Sequence, residues 1–130
     1  MKKYTKEINV TGTYIDFNDH VNNIEFIKWA QFVSEEHWNL LATPQMINDY
    51  IWVVSRNEID YFKQVRLGDT IQLVTWIEST VKATSVRVIE IFNVTRNELA
   101  AKAKIMWYAL DPQTKRPKRI AEDAKQLFEE

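Results

Sequence analysis

The sequence predicts an α+β domain in which one long helix packs against an antiparallel sheet of about five strands. Three observations lead to this fold class. One long segment has helical periodicity, the segments after it alternate with a period of two, and short polar turns join those segments. A length of 130 residues is typical of a single domain, so we expect one domain over residues 1–130.

The chain begins with a predicted strand. Residues from Thr5 to Ile15 alternate loosely between polar and apolar side chains, as a half-buried strand does. Gly12, one of only two glycines in the chain, interrupts this pattern and indicates a break in the strand.

The segment from Ile24 to Leu41 predicts a long helix. Polar residues recur there at spacings of three and four and form one stripe: Glu25, Lys28, Gln31, Glu35, Glu36 and Asn39. Apolar and aromatic residues fill the rest of the circumference, so we expect a helix that is buried on several sides. Pro44 follows shortly and ends the helix, because proline restricts the residue before it and cannot continue a helix.

Four consecutive strands are predicted after the helix. They cover residues 50–62, 70–80, 84–96 and 99–111, with a turn at Leu67–Gly68–Asp69 between the first two. The alternation is clear in the last strand, where Ala101 and Ala103 oppose Lys102 and Lys104. A short closing helix is expected from about Arg119.

Both faces of the predicted sheet carry apolar side chains. In residues 84–96, Val86, Val88 and Phe92 share one face, while Ile89 and Ile91 share the other. An antiparallel sheet that is apolar on both faces needs a cover, and a second copy of the chain is the expected one.

The composition is that of an ordinary globular protein and argues against several classes. A net charge of −1 gives no field that favours nucleic acid or an anionic membrane. The absence of cysteine excludes disulfides, thiolate catalysis and thiolate metal sites. No run approaches the roughly 20 apolar residues that span a bilayer, and no secretory signal is evident. We therefore expect a cytoplasmic protein with no membrane or nucleic-acid partner.

The stretch IDFNDHVNNIEFIKW, residues 15–29, concentrates short polar and titratable side chains directly before the predicted helix. These residues are Asp16, Asn18, Asp19, His20, Asn22 and Asn23. One interpretation is structural: Asn22 or Asn23 caps the helix by accepting hydrogen bonds from its first N–H groups, and the earlier residues form a turn.

Metal binding is not favoured by this stretch. It starts like an EF-hand loop, but Val21 stands at the position of the required glycine and Ile27 at that of the glutamate. A zinc site built from Asp16, His20 and His37 lacks a closely spaced pair of ligands. We expect no metal, and we expect His37 to be a core histidine of the helix.

A second interpretation of the same stretch is an active site. In an extended segment, residues 16, 18 and 20 direct their side chains to the same side. The helix that follows offers unpaired N–H groups and a partial positive charge. A carboxylate beside a helix N-terminus is a nucleophile or a base next to an oxyanion site, which suits acyl transfer. Thioesters suit it best, because their carbonyls are electrophilic and thiolates leave readily.

The stretch DFNDHVNNIEFIKW also resembles the D-x-N-x-H-V-N-N-x-x-Y-x-x-W motif of acyl-ACP thioesterases. More broadly, it is similar to the 4-hydroxybenzoyl-CoA thioesterase branch of the hot-dog fold. Two later segments, RNEIDYFKQVRLGDTIQLVTW and WYALDPQTKRPKRIAED, extend the resemblance over nearly the whole chain. The resemblance implies a hot-dog fold, a long central helix wrapped by a curved antiparallel sheet. It also implies a homodimer or a dimer of dimers with active sites at the subunit interface.

The resemblance assigns roles to four residues by position. Asp16 corresponds to the catalytic aspartate, acting as nucleophile or general base. Asn18 and His20 correspond to polar partners that position the water, the carboxylate or both. Asn23 falls where a backbone N–H at the helix start polarises the thioester carbonyl.

Two positions depart from the family pattern. Phe26 stands in place of the usual tyrosine. Gln64 falls near the position where some acyl-ACP enzymes have a catalytic glutamate, and an amide cannot act as a base. Glu58 lies nearby in the sequence, but we expect it on the wrong face of a regular strand.

The resemblance therefore implies hydrolysis of an acyl thioester, with acyl-CoA as the first choice. CoA or an acyl carrier protein enters as part of the substrate, and no separate cofactor is expected. Two alternatives stay open. One is a non-catalytic domain that binds acyl-CoA or an acyl carrier. The other is a hydratase or dehydratase that pairs His20 with Asp16 or Asp19.

Two further groups of residues are candidates for substrate contacts. Phe26 and Trp29 either line an acyl slot or belong to the core. Arg87, Lys82 and the basic residues 115–119 are cationic candidates for the phosphates of CoA, although surface cations are most often only solvated.

Overall fold

A computed structural model describes residues 1–16 and 19–129 of the chain. Its strands are β1 (Tyr4–Asn9), β2 (Ile51–Tyr61), β3 (Thr70–Val81), β4 (Thr84–Asn93) and β5 (Glu98–Leu110). Its helices are α1 (Asn23–Leu41), α2 (Pro44–Asp49) and α3 (Glu122–Gln126), and a 3-10 turn covers Gly12–Tyr14. None of the helices in these described ranges is long and apolar enough to cross a membrane.

The five strands form one antiparallel sheet in the order β1-β3-β4-β5-β2. The pairing shifts by one residue at Val54/Arg56, at Ile77/Ser79 and at Ile91/Phe92. Such bulges bend a strand and increase its twist, which curves the sheet around α1. The predicted fold class, a long helix packed on a curved antiparallel sheet of about five strands, is confirmed.

The helix α1 presents one buried stripe to the sheet. Phe26, Trp29, Ala30, Val33 and His37 recur at helical spacing and are buried. Together with inward-facing side chains of β3, β4 and β5, the apolar members of this stripe form the main core. The predicted core position of His37 is confirmed.

The rest of α1 is more exposed than the sequence suggests. Ile24, Phe32 and Leu40 lie eight residues apart and are all exposed in the isolated chain. The expectation of burial on several sides is therefore wrong for the single chain. Within the single chain, the sheet covers the buried stripe and leaves these three side chains exposed.

Two segment boundaries differ from prediction because hydrogen bonds outside the regular strand pairing decide them. β1 ends at Asn9, since the Val10 N–H turns to the Asp69 carbonyl at 2.8 Å. β4 ends at Asn93, because the Arg96 N–H donates to the Asn93 side chain at 3.1 Å and closes a turn.

The short helix α2 was not predicted. Pro44 cannot continue α1, and it is the first residue of α2. Proline is tolerated there because the first position of a helix needs no N–H donor. Thr43 caps α2 by accepting a hydrogen bond from the Met46 N–H at 3.2 Å. At the other end of the chain, α3 starts at Glu122, slightly later than expected.

The outer face of the sheet is mixed rather than apolar. Trp76, Val88 and Lys104 lie opposite one another on β3, β4 and β5. Lys104 forms an ion pair with Glu78 at 3.2 Å across this face. The prediction of a second apolar face is therefore correct for β4 but wrong for β5, whose lysines on this face are exposed.

Candidate active site

The loop after Ile15 closes on itself and brings Asp16 near His20. Ile15 pairs with Val21, and the Asp16 N–H donates to the His20 carbonyl at 3.1 Å. Asp19 has a φ of 60°, and its N–H donates to the Asp16 carbonyl at 3.3 Å. The expectation of an extended segment with side chains on one side is therefore wrong at these positions. The turn itself holds Asp16 and His20 together.

A second loop, which follows β2, lies beside the first. The Val21 N–H donates to the Val65 carbonyl at 2.9 Å, and His20 forms a backbone bridge with Arg66. The Arg66 N–H in turn donates to Oδ2 of Asp69 at 3.0 Å. Backbone contacts thus fix the two loops relative to each other.

The buried carboxylate of Asp69 stabilises the second loop. It is 3% exposed, and its Oδ2 also accepts from Asn93 Nδ2 at 2.8 Å and Arg96 Nε at 3.1 Å. Burial alone raises the pKa of this carboxyl group, but its hydrogen bonds and the Arg96 charge outweigh burial, so its pKa lies below the usual range. An ionised carboxylate therefore holds Arg66 beside His20.

The first turn of α1 forms the next wall. Asn22 caps the helix, since its Oδ1 accepts from the Ile24 N–H at 2.9 Å. This confirms the structural interpretation for Asn22. Asn23 is the first helical residue, and the N–H group at that position has no partner within the helix. The predicted carbonyl-polarising residue thus occupies the start of α1.

A cleft of about 440 Å³ lies between the two loops and this first turn. Its lining consists of Asp16, His20, Val21, Asn22, Asn23, Phe26, Tyr61, Phe62, Lys63 and Gln64. Three of the four predicted site residues, Asp16, His20 and Asn23, therefore line one cleft. The fourth, Asn18, lies outside the described residues. The volume is in the range of small-molecule sites.

Gln64, near the position of the family's glutamate, and Glu58, the nearby carboxylate, lie in different places in the structure. Gln64 lines the cleft. Glu58 lies opposite Lys104 on the outer face of the sheet and forms an ion pair with Arg56 at 3.5 Å. The expectation that Glu58 lies on the wrong face is confirmed.

Sequence reasoning missed three lining residues at the end of β2 and in the second loop: Tyr61, Phe62 and Lys63. The Phe62 and Lys63 N–H groups both donate to the Ala100 carbonyl, at 2.8 and 3.1 Å, which fixes the loop on β5. The Tyr61 hydroxyl donates to the Asn23 carbonyl at 3.4 Å, and burial raises its pKa. These residues come directly before Gln64, in a segment that carries the family resemblance. That position in the sequence could have indicated that they lie near the site.

An aromatic cluster forms the floor of the cleft. Phe26 packs edge-on against Trp29 and Tyr61, with ring centroids 5.5 and 5.4 Å apart. Tyr14 packs against the other side of Trp29 at 5.2 Å. Trp29 is therefore a core residue, whereas Phe26 belongs to the core and also lines the cleft.

The cationic candidates lie elsewhere. Arg87 is 4% exposed and bonded to His37 and Thr75, so it cannot reach a surface phosphate. Lys82 lies in the tight turn between β3 and β4. Lys63 is the cation of the cleft lining. Within residues 1–16 and 19–129, no three His, Asp or Glu side chains cluster as metal ligands would.

The arrangement is suited to one kind of chemistry. A carboxylate on a fixed turn and the start of a 19-residue helix line the same cleft. The helix start carries a partial positive charge and N–H donors, which stabilise an oxyanion. The carboxylate supplies a base or a nucleophile for attack on a carbonyl carbon.

Comparison with known families gives a match over almost the whole chain. Residues 1–128 match the model of the acyl-ACP thioesterase N-terminal domain. The chloroplastic acyl-[acyl-carrier-protein] hydrolase FATB3 of Cuphea viscosissima is 29% identical over 85 residues, which are 65% of this chain and 21% of that protein. A chloroplastic palmitoyl-acyl carrier protein thioesterase of Gossypium hirsutum is 28% identical with the same coverage. The chain spans about a fifth of the length of these curated relatives.

Solved structures share the fold at low sequence identity. A predicted thioesterase from Bacillus stearothermophilus has a TM-score of 0.85 at 22% identity, covering 98% of this chain and 94% of that chain. A 1,4-dihydroxy-2-naphthoyl-CoA thioesterase from Synechocystis has a TM-score of 0.85 at 15% identity, covering 98% and 96%. A Thermus thermophilus thioesterase complexed with coenzyme A and zinc has a TM-score of 0.84 at 20% identity, covering 97% of each chain.

Proposed function

Because this chain belongs to the acyl-ACP thioesterase family, we propose that it hydrolyses an acyl thioester to a free acid and a thiol. The observation that carries the proposal is the shared cleft. The Asp16 side chain and the first turn of α1 line it together, and Asn23 begins that turn. A nucleophile or base thus lies beside a site that favours negative charge on a carbonyl oxygen.

In the proposed reaction, Asp16 acts on the thioester carbonyl directly or through water. As a general base, its carboxylate takes a proton from water while the water oxygen attacks the carbonyl carbon. The tetrahedral intermediate then collapses, the C–S bond breaks, and the thiolate leaves and takes up that proton. As a nucleophile, a carboxylate oxygen attacks that carbon, the thiolate leaves, and water hydrolyses the mixed anhydride. Both routes use the ionised form of the carboxyl group, because that form supplies the lone pair of a base or a nucleophile.

The start of α1 receives the developing oxyanion. The Asn22 side chain already binds the Ile24 N–H, and the Glu25 N–H binds the Asn22 carbonyl at 2.9 Å. The N–H of Asn23, at the first helical position, is the donor that we assign to the thioester oxygen. One such donor typically contributes about 10²–10³-fold in rate.

His20 and Gln64 complete the polar lining, and we assign positioning roles to them. His20 is held by the turn that Asp16 closes, and Gln64 belongs to the second loop. Asn18 keeps its predicted role of orienting water or the carboxylate. An amide such as Gln64 can hold a water by hydrogen bonds but cannot remove its proton, so Asp16 remains the base.

The thiol carrier is the open part of the substrate. Coenzyme A and acyl carrier protein share the phosphopantetheine arm, and Lys63 on the cleft lining offers a charge for its phosphate. Acyl-CoA is the expectation from the sequence, whereas the curated relatives are named for acyl carrier protein. We propose that the cleft recognises the arm that both carriers share.

The test is a thiol-release screen of the purified chain. Acyl-CoA esters of graded chain length and one acyl-ACP are supplied at equal concentration, and free thiol is measured over time. We expect turnover of at least one series, and the carrier that is turned over identifies the preferred substrate.

Two other outcomes would contradict hydrolysis. Tight binding of a nonhydrolysable acyl-CoA analogue without thiol release from any ester favours a binding domain. Loss of ultraviolet absorbance from an enoyl-CoA, again without thiol release, favours a hydratase.

A further inference from the structure

A separate cavity of about 50 Å³ lies beside the C-terminal half of α1. Its lining consists of Ser34, Glu35, Trp38, Trp52, Ile77, Thr80, Ser85, Arg87, Trp107, Ile120, Ala124, Lys125 and Phe128. None of these residues lines the cleft that holds Asp16. Ser34 follows Asn23 by eleven residues, so about 16 Å of helix separates the two sites.

A buried guanidinium is the main charge of this cavity. Nη1 of Arg87 donates to His37 Nδ1 at 2.8 Å and to Thr75 Oγ1 at 3.2 Å. The guanidinium carbon lies 5.6 Å from the ring centroid of Phe128. Since these hydrogen bonds use Nη1 and Arg87 also lines the cavity, its Nε and Nη2 donors are the ones available to a ligand.

Neither of these partners neutralises the guanidinium. Burial, reinforced by the charges of Arg87 and Lys2, lowers the pKa of His37 to about 4, so His37 is neutral at physiological pH. Burial also lowers the pKa of Arg87 to about 9, which leaves it mostly charged at neutral pH. The ion pairs formed within residues 1–16 and 19–129 do not include Arg87. A buried charge without a counter-ion is unfavourable.

Part of the wall around this charge is aromatic. Trp38 packs edge-on against Trp52 at 5.2 Å and stacks on Phe128 at 5.8 Å. The indole N–H groups of Trp52 and Trp107 are buried and have no hydrogen-bond partner in the described part of the chain. The guanidinium of Arg87 is therefore the group of this cavity that an occupant with acceptor oxygens would pair with.

We propose that this cavity binds the carboxylate of a small organic acid, with Arg87 as its anchor and the aromatic walls around its apolar body. The two oxygens of a carboxylate match the fork of a guanidinium. The walls formed by Trp38, Trp52 and Phe128 exclude water from an apolar tail. The site is distinct from the cleft, and the proposal does not depend on the hydrolysis proposed above.

The mouth of the cavity carries two opposite charges. Glu35 is exposed and Lys125 is half-buried, and both side chains belong to the lining. An incoming anion is repelled by the carboxylate of Glu35 and attracted by the ammonium of Lys125. These residues allow the charge at the entrance to be changed without disturbing the core.

The test measures binding of butyrate, hexanoate and benzoate by calorimetry and by tryptophan fluorescence, at fixed ionic strength. The matching primary amides serve as neutral isosteres, and inorganic phosphate serves as a different anion. We expect saturable binding of the acids only. Arg87→Met should weaken it about 10- to 100-fold, the effect of losing a hydrogen bond to a charged group. Arg56→Met, an exposed arginine on β2, is the matched control and should change nothing.

Substitutions at the mouth keep the test decisive if Arg87→Met does not fold. We expect Glu35→Gln to tighten acid binding and Lys125→Gln to weaken it, each by about two- to fivefold. Equal binding of acids and amides would show an apolar pocket that does not recognise charge. Equal binding of phosphate would show that the cavity is not selective for carboxylates. Either result would overturn the proposal. A change in acid binding caused by Asp16→Asn would move the ligand to the cleft and overturn the proposal.

Discussion

At the scale of single residues, the proposed chemistry depends on where one carboxylate is held. Asp16 and Asp19 are close neighbours in the same turn, but only Asp16 belongs to the lining of the cleft. Asp19 occupies the left-handed region of the turn and is exposed. Substitutions of these two residues therefore test whether activity depends on a carboxylate in the cleft or only on a negative charge in the turn.

We expect Asp16→Asn to lower kcat at least about 10²-fold, because a positioned acid–base group typically contributes 10²–10⁴-fold. Asp19→Asn, which keeps a residue type that tolerates positive φ, should stay near wild-type activity. Both variants should have the far-ultraviolet circular dichroism of the parent. Wild-type turnover by Asp16→Asn, or equal losses in both variants, would remove the role assigned to Asp16.

A different carboxylate, Asp69, is expected to act on stability rather than chemistry. We expect Asp69→Asn to lower the free energy of unfolding by about 1–3 kcal/mol at pH 7, since it removes a buried charge that accepts three hydrogen bonds. Because the pKa of Asp69 is lowered in the folded state, this stabilisation is present above its ordinary pKa and is lost as the pH falls through the folded value.

Urea unfolding at pH 7 and in the acidic range measures this difference. The gap between wild type and Asp69→Asn should narrow as the pH falls below about 4, where the carboxyl group gains a proton. Asp60→Asn, at an exposed position of β2, is the control and should leave stability unchanged. A gap that is constant with pH would show that the charge of Asp69 does not stabilise the fold.

At the scale of elements, the residue that caps α1 also lines the cleft. Asn22 caps the helix through the Ile24 N–H, and its own N–H donates to the Tyr14 carbonyl at 3.3 Å. The same residue lines the cleft. Asn22 therefore binds the preceding loop through its backbone and the first turn of the helix through its side chain.

We expect Asn22→Ala to cost about 1 kcal/mol of stability, the usual cost of losing a capping oxygen. Asn22→Ser should recover most of this loss, since serine also caps helices. Asn39→Ala, on the exposed side of the same helix, tests the general effect of asparagine removal and should not destabilise. Chemical unfolding of the three variants is the measurement, and equal stability of Asn22→Ala and wild type would contradict the capping role.

At the scale of the whole molecule, the sheet ends in two edge strands, β1 and β2. β2 is eleven residues long, and on its outer edge it has no neighbouring strand within the described part of the chain. Such an edge is a template for pairing with another chain. The cleft residues Tyr61 to Gln64 lie at the end of β2 and directly after it, so pairing there would bring two clefts to one interface.

We therefore predict a homodimer, or a dimer of dimers, built on β2. Sedimentation should give at least twice the 15.4 kDa mass of one chain. Hydrogen exchange of the β2 amides should slow as protein concentration rises, while exchange of the β1 amides serves as the internal control. A single-chain mass at all concentrations, or concentration-dependent protection of β1 alone, would contradict this interface.

Local signals in the sequence were enough for the fold class and for half of the site. Period-two alternation located β3, β4 and β5, and the change to helical spacing located α1. Capping chemistry limited the helix start to Asn22 or Asn23, and the structure selects Asn22 as the cap. These features depend on residues a few positions apart, whose geometry the backbone fixes locally.

The tertiary structure alone decided which distant residues meet. The bulge at Val54/Arg56 changes the alternation of β2, so that Trp52 and Ile59, on either side of it, both pack against the core. Pairing of β4 with its neighbours buries Arg87, which the sequence presents as an ordinary cation. The second loop reaches the cleft only because its N–H groups bind Ala100 on β5. Register and burial arise from packing across the whole sheet, and no short segment of sequence contains them.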